Sequence, residues 1–131
     1  MKENWQRTFC GIAAASLGLA SIIAPVFILG VRRYEAPLFP AVRSGIEGLS
    51  SLSALLLLVS GLFLGSLVPK RPLLVGVCTM SAFPLMALAE MIVAPASHNM
   101  WPLEILIYGV LTVPAIVGAF AGRFARSLFW R

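Results

Sequence analysis

The sequence predicts an all-α integral membrane protein, four transmembrane helices in an antiparallel bundle, and three observations lead there. The first is composition. Of 131 residues, 60% are hydrophobic and 11% charged, with a mean hydropathy of +0.95, far from the balance of a soluble domain. The second is a series of uncharged runs long enough for a bilayer's hydrocarbon core, which takes roughly 20 apolar residues per helix. Thr8–Val31, Gly48–Pro69 and Ile105–Gly122 carry no charge, and Pro72–Pro95 carries only Glu90. The third is the placement of the cations. If the N-terminus is cytoplasmic, the inner segments hold Lys2, Arg7, Lys70, Arg71, Arg123, Arg126 and Arg131, and the outer loops hold Arg32, Arg33 and Arg43. This excess predicts both termini in the cytoplasm.

The predicted spans are about 8–31, 40–69, 72–95 and 102–122, forming a single membrane domain with short loops. A secretory signal peptide competes for the first of them, but its apolar run exceeds the roughly 7–15 residues of an h-region. The net charge of +5 reads as orientation and attraction to anionic lipid, not as a nucleic-acid surface. Cys10 and Cys78 both fall toward the reducing cytoplasmic side and are expected as free thiols. Near the termini, Trp5 and Trp130 are expected at headgroup depth, beside basic residues.

The first outer loop, VRRYEAPLFPAVRSGIEG, is the most polar stretch. Pro40 suits the first turn of a helix running through Arg43 and Glu47 into the second span, and the spacing of four lets those two side chains pair. The second loop, PKRP, is a tight turn. Small residues four apart permit close helix approach in lipid; Gly61 and Gly65 in the second span and Gly118 and Gly122 in the fourth are the expected packing stripes, within the monomer or between two copies. Pro25, Pro84 and Pro114 each remove a backbone donor from a span and favour a bundle that widens at some depth.

Glu90 is the chemically distinctive residue. It lies about 9 Å beyond Pro84, the middle of the third span, at 1.5 Å per residue, inside the hydrocarbon near its outer edge. An acid exposed to lipid at the bilayer centre costs roughly 2.5–3.5 kcal/mol and somewhat less at this depth, so Glu90 must face protein or water. Glu104 opens the fourth span from the same side, and Tyr108 and Thr112 follow at spacing four. The intervening loop adds Ser97, His98 and Asn99, and Arg32 and Arg33 end the first span nearby. The predicted site is therefore a polar cluster of Glu90, Glu104, Tyr108, His98 and Asn99, with Arg32 or Arg33 closing the charge.

Such a cluster could fix helix register, bind a ligand, or carry acid–base or metal chemistry. The last is disfavoured by a single histidine and by the absence of aspartate, HExxH or a serine nucleophile elbow. No cofactor is expected: haem would want histidine within the spans, and retinal a buried lysine. The sequence points to a multi-pass protein of the inner (plasma) membrane that is not an enzyme. Its expected partners are the lipid bilayer and a small or lipid-like ligand, or a partner helix. The alternatives are a dimeric, proton-coupled small-molecule transporter using Glu90, and an accessory subunit of a larger membrane complex.

Overall fold

The structure is a computed structural model that describes the backbone of residues 2–98 and 101–129 and the side chains of 8–96 and 101–129. Its regular structure is all helical, with no strand among the described residues. The elements are α1 (Lys2–Ile28), α2 (Pro40–Glu47), α3 (Ser51–Leu67), α4 (Pro72–Met80), α5 (Ala82–Val93), a 3₁₀ turn (Pro95–His98) and α6 (Trp101–Phe129). Three stretches are long and apolar enough to cross a membrane: Thr8–Ile28, Pro72–Val93 and Trp101–Phe129. The bent pair α2 and α3 qualifies as a fourth when taken together. Large apolar side chains such as Ile92, Leu85, Phe9 and Phe124 stand exposed around the outside, an apolar surface that suits lipid and would be untenable in water.

Each boundary has a local cause. The first helix stops where Gly30 adopts φ +62° and the Val31 amide returns to the Val26 carbonyl at 3.1 Å, closing the last turn as a left-handed glycine cap does. Residues 31–39 then run without regular structure until Pro40 starts α2. The expected continuous helix from Pro40 into the second span is not formed. It breaks at Gly48–Ser50, and α3 leaves at 107° to α2. Ser50 explains the restart, because its side chain accepts from the Ser53 amide at 3.3 Å, satisfying a donor that a helix N-terminus leaves open.

Of the three intraspan prolines, Pro25 and Pro114 sit within unbroken helices, whereas Pro84 lies just past the interruption at Ser81 that separates α4 from α5. Lacking an N–H, Pro84 cannot bond the Met80 carbonyl. The Ser81 amide and hydroxyl both turn back to the Cys78 carbonyl, at 3.2 Å and 2.8 Å.

Packing rests on small residues. The most extensive interface joins α3 to α6. A Cβ at Gly61 would meet the Ala115 carbonyl and one at Gly65 the Ala119 carbonyl; from the other side, Gly118 faces the Leu58 carbonyl and Gly122 that of Leu62. The contacts advance together along both helices, so α3 and α6 run side by side in the same direction. Gly18 brings α1 equally close to the Thr79 carbonyl of α4. Polar side chains at these interfaces are satisfied: Ser21 bonds the Leu17 carbonyl at 2.8 Å and the Ser60 hydroxyl at 3.0 Å, and Thr79 bonds the Gly76 carbonyl at 2.6 Å. Around them sit Ile22, Leu57, Phe83 and Ala115, all fully buried.

Candidate functional site

Glu90 occupies the last turn of α5 and is 4% exposed. Its Oε1 accepts two backbone hydrogen bonds, from the Phe39 amide at 2.9 Å and the Leu38 amide at 3.2 Å. These are the residues that lead into α2, whose N-terminus has no side-chain cap of its own. A carboxylate brought from another helix therefore meets the positive end of α2, where backbone donors converge and negative charge is favoured. The same loop is tied a second time: the Tyr34 amide donates to the Ser44 hydroxyl at 2.8 Å, and that hydroxyl donates to the Pro40 carbonyl at 2.7 Å.

Beside Glu90 lies a cavity of about 650 Å³, within the roughly 300–1,000 Å³ range of small-molecule sites, between α2, α5, the 3₁₀ turn and the start of α6. From α5 it takes Phe83, Met86, Ala87 and Glu90; from α6, Leu103, Glu104, Ile107 and Tyr108; from α2 and its lead-in, Phe39, Val42, Arg43, Ile46 and Glu47; and from the 3₁₀ turn, Ala96. Among the described residues, three carboxylates and one guanidinium thus share one wall system. Arg43 Nε donates to Glu47 Oε1 at 2.8 Å, the pair expected from their spacing. Tyr108 is buried, with its ring centroid 5.8 Å from that of Phe83.

The structure brings together part of the cluster expected from sequence. Glu90, Glu104 and Tyr108 line one cavity. Thr112 does not extend the polar stripe, because its hydroxyl donates to the Tyr108 carbonyl at 2.7 Å. Arg32 and Arg33 are exposed and are not among the cavity's lining residues; the Arg33 guanidinium lies 5.6 Å from the centroid of the Phe27 ring. The arginine at the cavity is Arg43. The backbone of His98 ends the 3₁₀ turn, while its side chain and the whole of Asn99 lie outside the described residues, as do the Trp5 side chain and Trp130.

Phe83 and Ala87 are cavity residues that the sequence reading did not name, and Arg43 and Glu47, expected from sequence as a pair on α2, were not placed in the site. A signal existed for the first two, since Phe83, Ala87 and Glu90 fall at i, i+4 and i+7 and share one buried face of α5.

At the opposite end, Arg126 of α6 donates to the Ser66 carbonyl at 2.8 Å and the Leu67 carbonyl at 3.2 Å, capping the negative end of α3. Cys10 and Cys78 are free thiols that border a common small pocket near that end. Among the described residues, no group of three or more His, Cys, Asp or Glu side chains is placed to hold a metal ion. No protein-family model, curated protein or solved structure matches the chain.

Proposed function

We propose that this is a non-enzymatic, multi-pass inner-membrane protein that binds a small or lipid-like ligand in the cavity beside Glu90. In this reading the α2–α3 pair provides one crossing, made by α3, the four spans alternate in direction, both termini are cytoplasmic, and α2, bent away by 107°, lies along the outer membrane surface over the cavity. The carrying observation is the preformed site: a cavity of about 650 Å³ whose buried acid is already held by the Leu38 and Phe39 amides. Binding sites are largely built before their ligands arrive, with a few fixed polar groups in apolar walls. An acid fixed in this way favours a static recognition element over one that swings to exchange protons.

The test is native mass spectrometry of protein extracted with its surrounding lipid, comparing the wild type with Leu103→Trp. Leu103 borders the cavity yet is 48% exposed, so the larger ring can fill the space without overpacking the core. A retained molecule of defined mass in the wild type, depleted in Leu103→Trp, supports the reading. Absence of a specific adduct from both proteins, or equal retention by both, refutes it.

A further inference from the structure

The cavity does not end at its polar wall. A second, almost wholly apolar groove of about 290 Å³ runs between α5 and α6. It shares Ala87, Glu104 and Tyr108 with the cavity, and continues past Leu88, Trp101 and Ile105, which are exposed on the lipid-facing side. The groove follows from the break before Pro84. Below it α4 packs closely on α6, whereas above it α5 meets α6 far more sparingly, leaving a cleft between two apolar walls.

Building on the ligand-binding reading, we infer that the occupant is an amphiphile with an amine or quaternary-ammonium headgroup in the cavity and a hydrocarbon tail in the α5–α6 groove. Three features select it. Among the described lining residues Glu47, Glu90 and Glu104 are acidic and Arg43 is basic, and carboxylates at the wall complement a cationic group. The aromatic rings of Phe39, Phe83 and Tyr108 border the same space, and aromatic faces attract desolvated ammonium groups. The tail path opens from the headgroup space at Glu104 and Tyr108, so a single molecule with a polar end and an apolar end occupies both volumes. A soluble amine would fill only the first, and a fatty anion would bring the wrong charge.

Trp101 provides a built-in reporter, because it lines the groove and is 51% exposed. The protein is prepared as Trp5→Phe/Trp130→Phe in neutral maltoside micelles, leaving Trp101 as the emitter. It is titrated with an alkyltrimethylammonium carrying bromine on its chain, with an alkyl sulfate brominated at the same carbon, and with tetramethylammonium as a competitor. The expected result is saturable quenching of Trp101 by the cationic chain and at least tenfold weaker quenching by the anionic one. Tetramethylammonium, which has no tail, should compete only at far higher concentration. Glu104→Gln should weaken the cationic amphiphile about tenfold, and Glu104→Lys should abolish its preference over the sulfate, with circular dichroism confirming that both variants remain folded.

Equal saturable quenching by both chains would overturn the headgroup assignment while leaving a binding cavity in place. Effective competition by tetramethylammonium at the amphiphile's own concentration would overturn the tail assignment in favour of a small soluble cation. Quenching that only rises linearly with micellar bromine would overturn the inference. Whether the broader binding reading also falls is decided separately by the mass comparison with Leu103→Trp.

Discussion

Placing a methyl group at Gly61 or Gly118 tests the central packing of the molecule directly. In both cases the new Cβ would stand closer than 3.0 Å to a backbone carbonyl oxygen of the facing helix, that of Ala115 or Leu58. Backbone oxygens cannot rotate aside, so α3 and α6 must separate by something on the order of an ångström. Their interface is the most extensive in the molecule, and a radial gap of that size forfeits a quarter to a half of each contact's dispersion energy. Overpacking of this kind costs about 1–3 kcal/mol, against which alanine recovers roughly 0.5–1 kcal/mol of helix propensity. A net loss of about 1–2 kcal/mol is therefore expected for Gly61→Ala and for Gly118→Ala.

Gly11 and Gly109 are internal controls, with nothing within 4 Å of a Cβ at either position, and alanine there should be neutral or slightly stabilising. The double variant Gly61→Ala/Gly118→Ala should lose less than the two single losses together, because the first methyl has already parted the helices. The assay is reversible unfolding by sodium dodecyl sulfate in mixed micelles, followed by circular dichroism at two protein concentrations. The reasoning is refuted if the four single variants unfold alike. A shift that depends on protein concentration would also refute it, since that would place the contact between copies.

Glu90→Ala should deprive the part-buried Leu38 and Phe39 amides of their acceptor at a cost of about 0.5–1.5 kcal/mol per hydrogen bond, and protease should then cut the 31–39 segment faster; Glu90→Gln, which keeps a carbonyl oxygen, should fall between wild type and Glu90→Ala. Arg126→Ala should lower stability by about 0.3–1 kcal/mol through loss of the α3 cap, with Arg126→Lys recovering part of it in the same unfolding assay. Gly30→Ala, at φ +62°, should cost about 1–2 kcal/mol, and Gly30→Asn less, because asparagine tolerates the left-handed region.

What the sequence disclosed, and what it hid, divides along a physical line. Apolar runs report burial in lipid, so the helical segments from Thr8 to Ile28, Pro72 to Val93 and Trp101 to Phe129 were visible in outline. Small residues at spacing four report the possibility of close approach, though only the fold shows which helix approaches which. The break at Gly48–Ser50 was concealed because Pro40 and the Arg43–Glu47 spacing pointed to a helix leading straight into the uncharged run that opens at Gly48. Its signal was a capping serine three residues before Ser53, easily read as one more small residue in a span.

Glu90 stood out as an acid among hydrophobics, but the groups that donate to its Oε1 are main-chain amides of Leu38 and Phe39, and amides are the same in every residue. The sequence therefore showed that Glu90 needed a partner and pointed to arginines, whose charge is visible in the residue letters. Arg126 was hidden for a related reason: a cation at the end of a span is expected on electrostatic grounds alone, and nothing in its neighbours indicates that it reaches two carbonyls on another helix.

That reach also sets an order of assembly during synthesis. Arg126 and the carbonyl of Ser66 are 60 residues apart in the chain. At about 5–20 residues per second, α3 is complete roughly 3–12 seconds before the side chain that finishes its end has been made. Through that interval the glycine face of α3 has no α6 to meet. The nascent protein must hold a finished but unmatched helix in place until its last segment arrives, and that waiting period is when a foreign small-residue helix could most readily take the position of α6.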